Sequence, residues 1–332
     1  MTDDGAPITR DRPYPNETAS RAVSRFERRV LGSPLRLTLA STELLDRSAT
    51  ESAWGAVSDE FDQVDAAMSR FRADSGVTSL NERAGSGVIT VVAPRLYHAI
   101  AASERARMIT GGRFDACVLV ALDRLGHRGA PIRASVPPPS ERSRETWVER
   151  WPRQTAVRLA QPIDLGGIGK GLALRWAARR LSTLIPERSQ AGFVLDAGGD
   201  LVASGPSPEG GPWSLGIEDP SGTDDPVAVV ALTAGALCTS SIRLGRWRGP
   251  DGRGVHHLID PATGEPGTGG LASVTVAGSD PAWSEVWSKS LFLAGARAIA
   301  TEARSRGMAA WWIDERGRLS MTPAARASTT WP

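Results

Sequence analysis

The sequence predicts an α/β protein of the α+β kind, mixed sheets with packed helices, and three features carry that prediction. Short alternating or β-branched segments read as strands, two longer segments place apolar residues at helical spacing, and glycine-rich turns separate them. Leu35, Leu37 and Leu39 alternate with Arg36 and Thr38, the pattern of a half-buried strand. Trp54, Val57, Phe61, Val64, Met68 and Phe71 recur at three- and four-residue steps. They predict a helix ending near Arg72, with Ser48 and Glu51 spaced as a capping box a turn earlier. Val88 to Val92 predicts a strand, and Pro94 to Met108 a second helix with its proline in the first turn. A glycine-rich turn over Asp164 to Gly169 opens a helix through Leu184. Strands follow at Gly192 to Leu195, Val227 to Leu232 and Ser273 to Ala277, and a last helix covers Ala282 to Arg304. No repeat of solenoid length is present.

The main unit is expected over residues 31–320, preceded by a flexible polar start over 1–30 and followed by a frayed tail over 321–332. Within it, 126–150 carries Pro131, the run Pro137-Pro138-Pro139 and many arginines without sustained periodicity. That stretch reads as a loop or insertion.

At 332 residues and 41% hydrophobic content the chain is long enough to bury a core. Its net charge of +2, with basic residues scattered, leaves no stripe to neutralise the phosphates of a nucleic acid. A small phosphorylated ligand is compatible with it. Cys117 and Cys238 are too far apart in sequence for a metal cluster by spacing, suggest no disulfide framework, and read as small buried hydrophobes. Met1 to Arg29 lacks the apolar run of a signal peptide or spanning helix, so a cytoplasmic protein without membrane insertion is expected. Of 39 basic residues only Lys170 and Lys289 are lysine. A compact ammonium and a planar guanidinium differ physically, which singles both positions out.

Several segments carry possible chemistry, each with a structural alternative. Asp164-Leu165-Gly166-Gly167-Ile168-Gly169-Lys170-Gly171 sets glycines ahead of a helix, where bare amides and the helix dipole suit an anion. It lacks the spacing of a Walker A loop or a dinucleotide fingerprint, and taken alone it reads as a structural turn before it reads as an anion site. Gly198-Gly199, between Asp196 and Asp200, serves either a close backbone approach to a ligand or a tight hairpin. In Thr110-Gly111-Gly112-Arg113-Phe114-Asp115 the carboxylate either caps the next helix or accepts a proton from an attacking hydroxyl. Thr239-Ser240-Ser241 offers hydroxyls for a polar pocket, or marks a turn. His256 and His257 precede Leu258-Ile259-Asp260-Pro261. Adjacent rings on one strand point to opposite faces, so they do not chelate a metal together, while one of them is free to meet a ligand. In the last helix, Glu285 and Lys289 stand at i and i+4 in the favourable order within an otherwise apolar cylinder. They form either a structural ion pair or the edge of a polar site.

In order along the chain these segments resemble the ApbE family of FAD:protein FMN transferases, over roughly residues 35 to 296. Met68-Ser69-Arg70-Phe71-Arg72-Ala73-Asp74-Ser75, with Leu80-Asn81, resembles the family's amino-terminal signature. Thr110 to Asp115 is similar to its TGGxFD segment, Asp164 to Gly171 to DLGxxxKG, Asp196 to Asp200 to its glycine-pair strand, Thr239-Ser240 to TSG, and His257 to Gly264 to HIIDPxTG. The resemblance implies two interlocked lobes around one flavin site. It also implies transfer of the FMN moiety of FAD to a Thr or Ser hydroxyl of an acceptor protein, with release of AMP. It implies that FAD is bordered by Met68, Ser69, Arg113, Phe114, Asp115, Asp164, Lys170, Gly198, Gly199, Asp200, Thr239, Ser240, His257 and Ile259, with Asp115 and His257 as the candidate bases. A magnesium ion is implied too, facing the Gly167 carbonyl and two ligands four residues apart on the last helix, an Asp and a Thr in the family. Here those positions hold Glu285 and Lys289. Glu still ligates Mg²⁺, but a charged ammonium has no lone pair to offer. Either Lys289 takes the metal's place, or the chain binds flavin with altered or lost catalysis. Hydrolysis of FAD to FMN and AMP is a further alternative.

Overall fold

The computed structural model describes residues 21–41, 45–127, 129, 146–185 and 189–331. Its frame is an eight-stranded sheet whose strands are numbered here β1 (Ala22–Val30), β2 (Ser33–Ser41), β3 (Gly192–Ala197), β4 (Asp200–Ser204), β5 (Gly235–Ser241), β6 (Leu271–Gly278), β7 (Ala309–Asp314) and β8 (Leu319–Met321). Neighbours in the sheet are neighbours in this series, and every pairing is antiparallel. The expectation of mixed sheets is therefore corrected. Two-residue turns return the chain directly beside itself: Leu31-Gly32 joins β1 to β2 and Gly198-Gly199 joins β3 to β4, all four residues at positive φ. That backbone matches the twist of adjacent antiparallel strands.

Helices α1 (Arg47–Met68), α2 (Gly76–Asn81), α3 (Pro94–Ile109), α4 (Leu119–Arg124), α5 (Gly169–Leu184), α6 (Pro281–Ser305) and α7 (Pro323–Arg326) complete the regular structure, with short strands between them. Leu35, Leu37 and Leu39, at most 1% exposed, meet Val57, Phe61 and Val64 of α1 and Leu172 and Leu181 of α5 in one cluster. The alternation on β2 is thus the inner face of a helix-on-sheet layer, each leucine contributing about 2 kcal/mol by burial. On the opposite face Ala203, Leu237 and Trp311 pack against Trp213, Leu215 and Val230 of a three-stranded sheet built from Trp213–Ile217, Ala228–Leu232 and Thr329–Trp331. A third core holds α6 against β6 and β7 through Leu291, Phe292, Ile299, Val274 and Ala310.

Several boundaries differ from the sequence reading. Residues 22–30 are not a flexible start but strand β1, held by Phe26 stacked on Trp54 with ring centroids 5.6 Å apart. The tail is likewise ordered by Ala325, which is fully buried, and by Thr329 and Trp331 pairing with Val230 and Val229. Of the 126–150 stretch, residues 128 and 130–145, Pro131 and the three prolines included, lie outside the described residues, while Val148–Trp151 is a strand. Helix α1 is capped by Asp46, whose carboxylate accepts from the Ala49 amide at 2.6 Å, rather than by Ser48 with Glu51. It ends at Met68 because Ser69 is extended, and Val88–Val92 shrinks to Thr90–Val91.

Helix α6 is interrupted at Gly295, where φ is +78°. A side chain on Gly269 would lie 2.5 Å from the Gly295 Cα, so two glycines let the 267–270 segment cross the helix. The Gly269 carbonyl accepts from the Ala296 amide at 2.8 Å. The half before the break carries Glu285 and Lys289 inward, and the half after it brings Glu302 to Arg113.

Candidate functional site

Where the C-terminal end of α1, the 110–115 turn, the 164–167 turn, the 257–259 segment and α6 converge, they enclose an open-sided cavity of about 220 Å³. Its charged lining is Arg70, Arg113, Asp115, Asp164 and Lys289, and its apolar wall is Phe71, Phe114, Val118, Leu122, Ile259 and Leu293. A second recess of about 560 Å³, flanked by Leu244, Arg246 and Trp247, shares Phe71 and His127 with it as lining. An apolar wall beside charged side chains suits a ligand with a ring system and an anionic group.

Asp115 is placed by the glycine turn before it and caps the 116–118 turn. One carboxylate oxygen accepts from the Cys117 amide at 2.9 Å, and the other from Arg107 Nε at 3.0 Å. Asp164 accepts from the Gly166 amide at 2.8 Å and stands 3.5 Å from Arg70 Nε. Arg70, only 5% exposed in its side chain, also touches His127 and lies over the Phe71 ring, 4.5 Å from its centroid. Arg113 is held by Ser290 Oγ at 3.3 Å and by Glu302. Each carboxylate facing the cavity thus has its own arginine.

His257 turns into the cavity while His256 turns away, towards the Gly267 carbonyl and the edge of Phe292. The opposite-face expectation for the two rings agrees with this arrangement. His257 Nδ1 lies 3.4 Å from the Gly245 carbonyl, and a proton donated there leaves Nε2 with the lone pair. Burial, and next the positive charge of Lys289, push its pKa down to about 4. The ring is therefore neutral at physiological pH. Gly245 has no alternative, since a side chain there would collide with that ring.

Beneath the cavity lies a second, drier tier. Lys170 pairs with Asp200, whose other oxygen accepts from the Thr239 amide at 3.1 Å. Burial lowers the Lys170 pKa, but the charges of Asp200 and Glu285 outweigh it and the net shift is upward. Thr239 and Ser240 bond Thr275 and Ser288 through their hydroxyls at 2.8 and 2.7 Å, tying β5 to β6 and α6. Cys238, wholly buried in the same tier, has its thiol pushed well above the usual range by burial, while Cys117 is only partly buried.

Glu285 is fully buried and joins the tiers. One oxygen accepts from the Gly171 amide at 2.8 Å, in the first turn of α5, and the other from Lys289 Nζ at 3.1 Å. The carboxylate thereby satisfies an amide that a helix start leaves without an intrahelical partner. The crossing is close because Gly171 has no side chain; a Cβ there would sit 2.6 Å from Ala282 Cα.

Of the positions singled out in the sequence, Arg113, Phe114, Asp115, Asp164, Gly167, His257, Ile259 and Lys289 line the cavity. Lys170, Asp200, Thr239, Ser240 and Glu285 lie in the tier below. Met68 is a core residue at 5% exposure, and Ser69 is the α1 C-cap. Gly198 and Gly199 form the β3–β4 turn, with Gly198 packed on Ser33. Arg70, Phe71 and His127 also line the cavity, beyond the positions the sequence marks. The first two stand in the same motif as Met68 and Ser69, and the signal that distinguishes them is the α1 terminus at Met68, which throws Phe71 to 63% exposure.

The residues present do not fit a magnesium ion. That cation needs about six oxygens at about 2.1 Å, and both Glu285 oxygens are committed to Gly171 and Lys289. The Lys289 stem runs 3.5 Å from where a side chain on Gly167 would stand, so the ammonium side chain fills the intervening space. A dication there would face it at a cost exceeding the about 4 kcal/mol of two unit charges about 4 Å apart near a protein surface. Among the described residues, no three His, Cys, Asp or Glu side chains are grouped to hold a metal, and no helix is long and apolar enough to cross a membrane.

An antiparallel sheet covered by helices, with a charged cavity at the convergence of their ends, defines an α+β architecture. The model of the ApbE family matches residues 31–312. The chain belongs to the ApbE family. It is 25% identical over 325 residues to the FAD:protein FMN transferase of Escherichia coli (strain K12), covering 92% of this chain and 88% of that protein. It is 31% identical over 159 residues to a protein of the same name from Klebsiella pneumoniae (strain 342), a match covering 47% of this chain and 43% of that one. The crystal structure of the ApbE protein of Thermotoga maritima superposes with a TM-score of 0.78 at 25% identity, over 92% of this chain and 99% of that one. The flavin transferase ApbE of Vibrio cholerae shares the fold, with a TM-score of 0.76 over 93% and 99% of the two chains at 19% identity.

Proposed function

We propose that this protein transfers the FMN moiety of FAD to a Thr or Ser hydroxyl of an acceptor protein and releases AMP. The observation that carries the reading is the joining, in one family fold, of an apolar ring-sized wall to an inner end holding Lys289, the Gly166-Gly167 turn and a neutral His257. In this reading the flavin lies against Phe71, Phe114 and Ile259 between the two lobes, and the diphosphate lies at Lys289. The adenosine end runs along the recess beside Trp247.

The acceptor oxygen attacks the phosphorus on the riboflavin side. A new P–O bond forms, the P–O bond to AMP breaks, and AMP leaves with the electron pair. The barrier is one of positioning and charge, which fixed donors lower without reorganising. His257 Nε2 is the stronger candidate for taking the hydroxyl proton, since both oxygens of Asp115 already accept hydrogen bonds. An anionic diphosphate beside Lys289 offsets the charge that depresses the imidazole, raising its basicity when substrate is bound. Asp115 then positions the 113–115 turn.

Incubation with FAD and an acceptor protein should yield AMP and covalently labelled acceptor in equal amounts. His257→Gln should slow turnover about a hundredfold or more while FAD binding changes little. Free FMN without labelling would establish hydrolysis instead, and tight FAD binding without AMP would establish a flavin carrier.

A further inference from the structure

The pair Glu285–Lys289 is built more carefully than a structural ion pair requires. Glu285 is fully buried and fixed on both oxygens, one by the Gly171 amide at 2.8 Å and one by Lys289 Nζ at 3.1 Å. Lys289 keeps 17% of its side chain exposed and lines the cavity beside Gly167. An ammonium has three hydrogens; one is given to Glu285, which leaves two for a ligand. The other lysine of the chain, Lys170, is committed to Asp200 below, and the cavity arginines Arg70 and Arg113 have carboxylate partners in Asp164 and Glu302. A compact ammonium also reaches a phosphate oxygen as a point charge, where a guanidinium needs a wider, planar approach.

We propose that Lys289 is a built-in cation for the diphosphate of FAD, standing where the family resemblance places a metal, and that FAD binding by this protein needs no divalent ion. The inference rests on the flavin reading above. Glu285 holds the ammonium in place before the ligand arrives, so the charge is pre-positioned rather than recruited from solution.

The test is a titration of the full chain with FAD, read by flavin fluorescence, in chelator and again with excess Mg²⁺, for the wild type and Lys289→Met. The wild type should bind with the same Kd in both media, within about twofold, and Lys289→Met should bind about tenfold or more weakly in both. A wild-type Kd that tightens about tenfold or more on adding Mg²⁺ overturns the inference while leaving the flavin reading intact, as does a folded Lys289→Met that binds as the wild type does. If Lys289→Met fails to fold, the wild-type comparison decides alone. Absence of wild-type FAD binding in both media overturns the flavin reading and this inference with it.

Discussion

Glu285→Gln removes one charge and almost no volume, so its effect isolates the electrostatics of the joint between α5 and α6. Gln retains a carbonyl oxygen for the Gly171 amide, now 2.8 Å from Glu285 Oε2, and loses the charge that faces Lys289 at 3.1 Å. Breaking a buried pair costs about 3–5 kcal/mol because the survivor is left uncompensated. Lys289 is 17% exposed and has the cavity to turn into, which places the expected loss at the low end, about 3 kcal/mol. Urea unfolding at neutral pH should show it as a lower midpoint with an unchanged slope. Since the penalty arises from the surviving ammonium, pairing Glu285→Gln with Lys289→Met should recover part of it, with a coupling of about 1.5–3 kcal/mol in a double-mutant cycle. A loss below about 1 kcal/mol, or strictly additive variants, would refute the claim that the two residues act as one buried unit.

Two further outcomes are expected. Gly171→Ala drives a Cβ to 2.6 Å from Ala282 Cα and 2.7 Å from the Pro281 carbonyl, so thermal and urea unfolding should show a loss of about 1–3 kcal/mol or more; a neutral result would mean that the helices are not in the close contact described. His257 binds its proton less readily folded, near pH 4, than unfolded, near about 6.5. The unfolded chain therefore gains the proton first, and stability that is full above about pH 6.5 is lost progressively as the pH falls to about 4, by about 3 kcal/mol. His257→Gln should lose correspondingly less stability than the wild type between pH 7 and pH 4.5, and identical losses would show that the ring is not held neutral by its surroundings.

The long amphipathic segments were legible because burial imposes a period: Leu35, Leu37 and Leu39, and Val57, Phe61 and Val64, pack in the cluster their spacing foretells. Ends were less legible. The start of α1 depends on which of several polar residues reaches an amide, and Asp46 does so in place of Ser48. Strand β1 carries four arginine and glutamate residues over Ala22–Val30, so its polar edge resembles a solvated leader, and only the stacking of Phe26 on Trp54 gives it away. The break in α6 at Gly295 exists because another segment, at Gly269, passes against it, a long-range cause that no local pattern carries. At the site, the motifs marked residues that converge, yet their division into a cavity lining and a supporting tier follows from three-dimensional placement. Lys170 and Lys289 look alike in the sequence; one is spent on Asp200 below and the other is presented to the cavity.

The most direct measurement is a crystal structure of the protein with FAD. The account predicts a single dinucleotide with its diphosphate between the Gly166-Gly167 turn and the Lys289 ammonium, its ring against Phe114 and its phosphorus within reach of His257. A dinucleotide bound elsewhere, or a diphosphate turned away from Lys289, would contradict it.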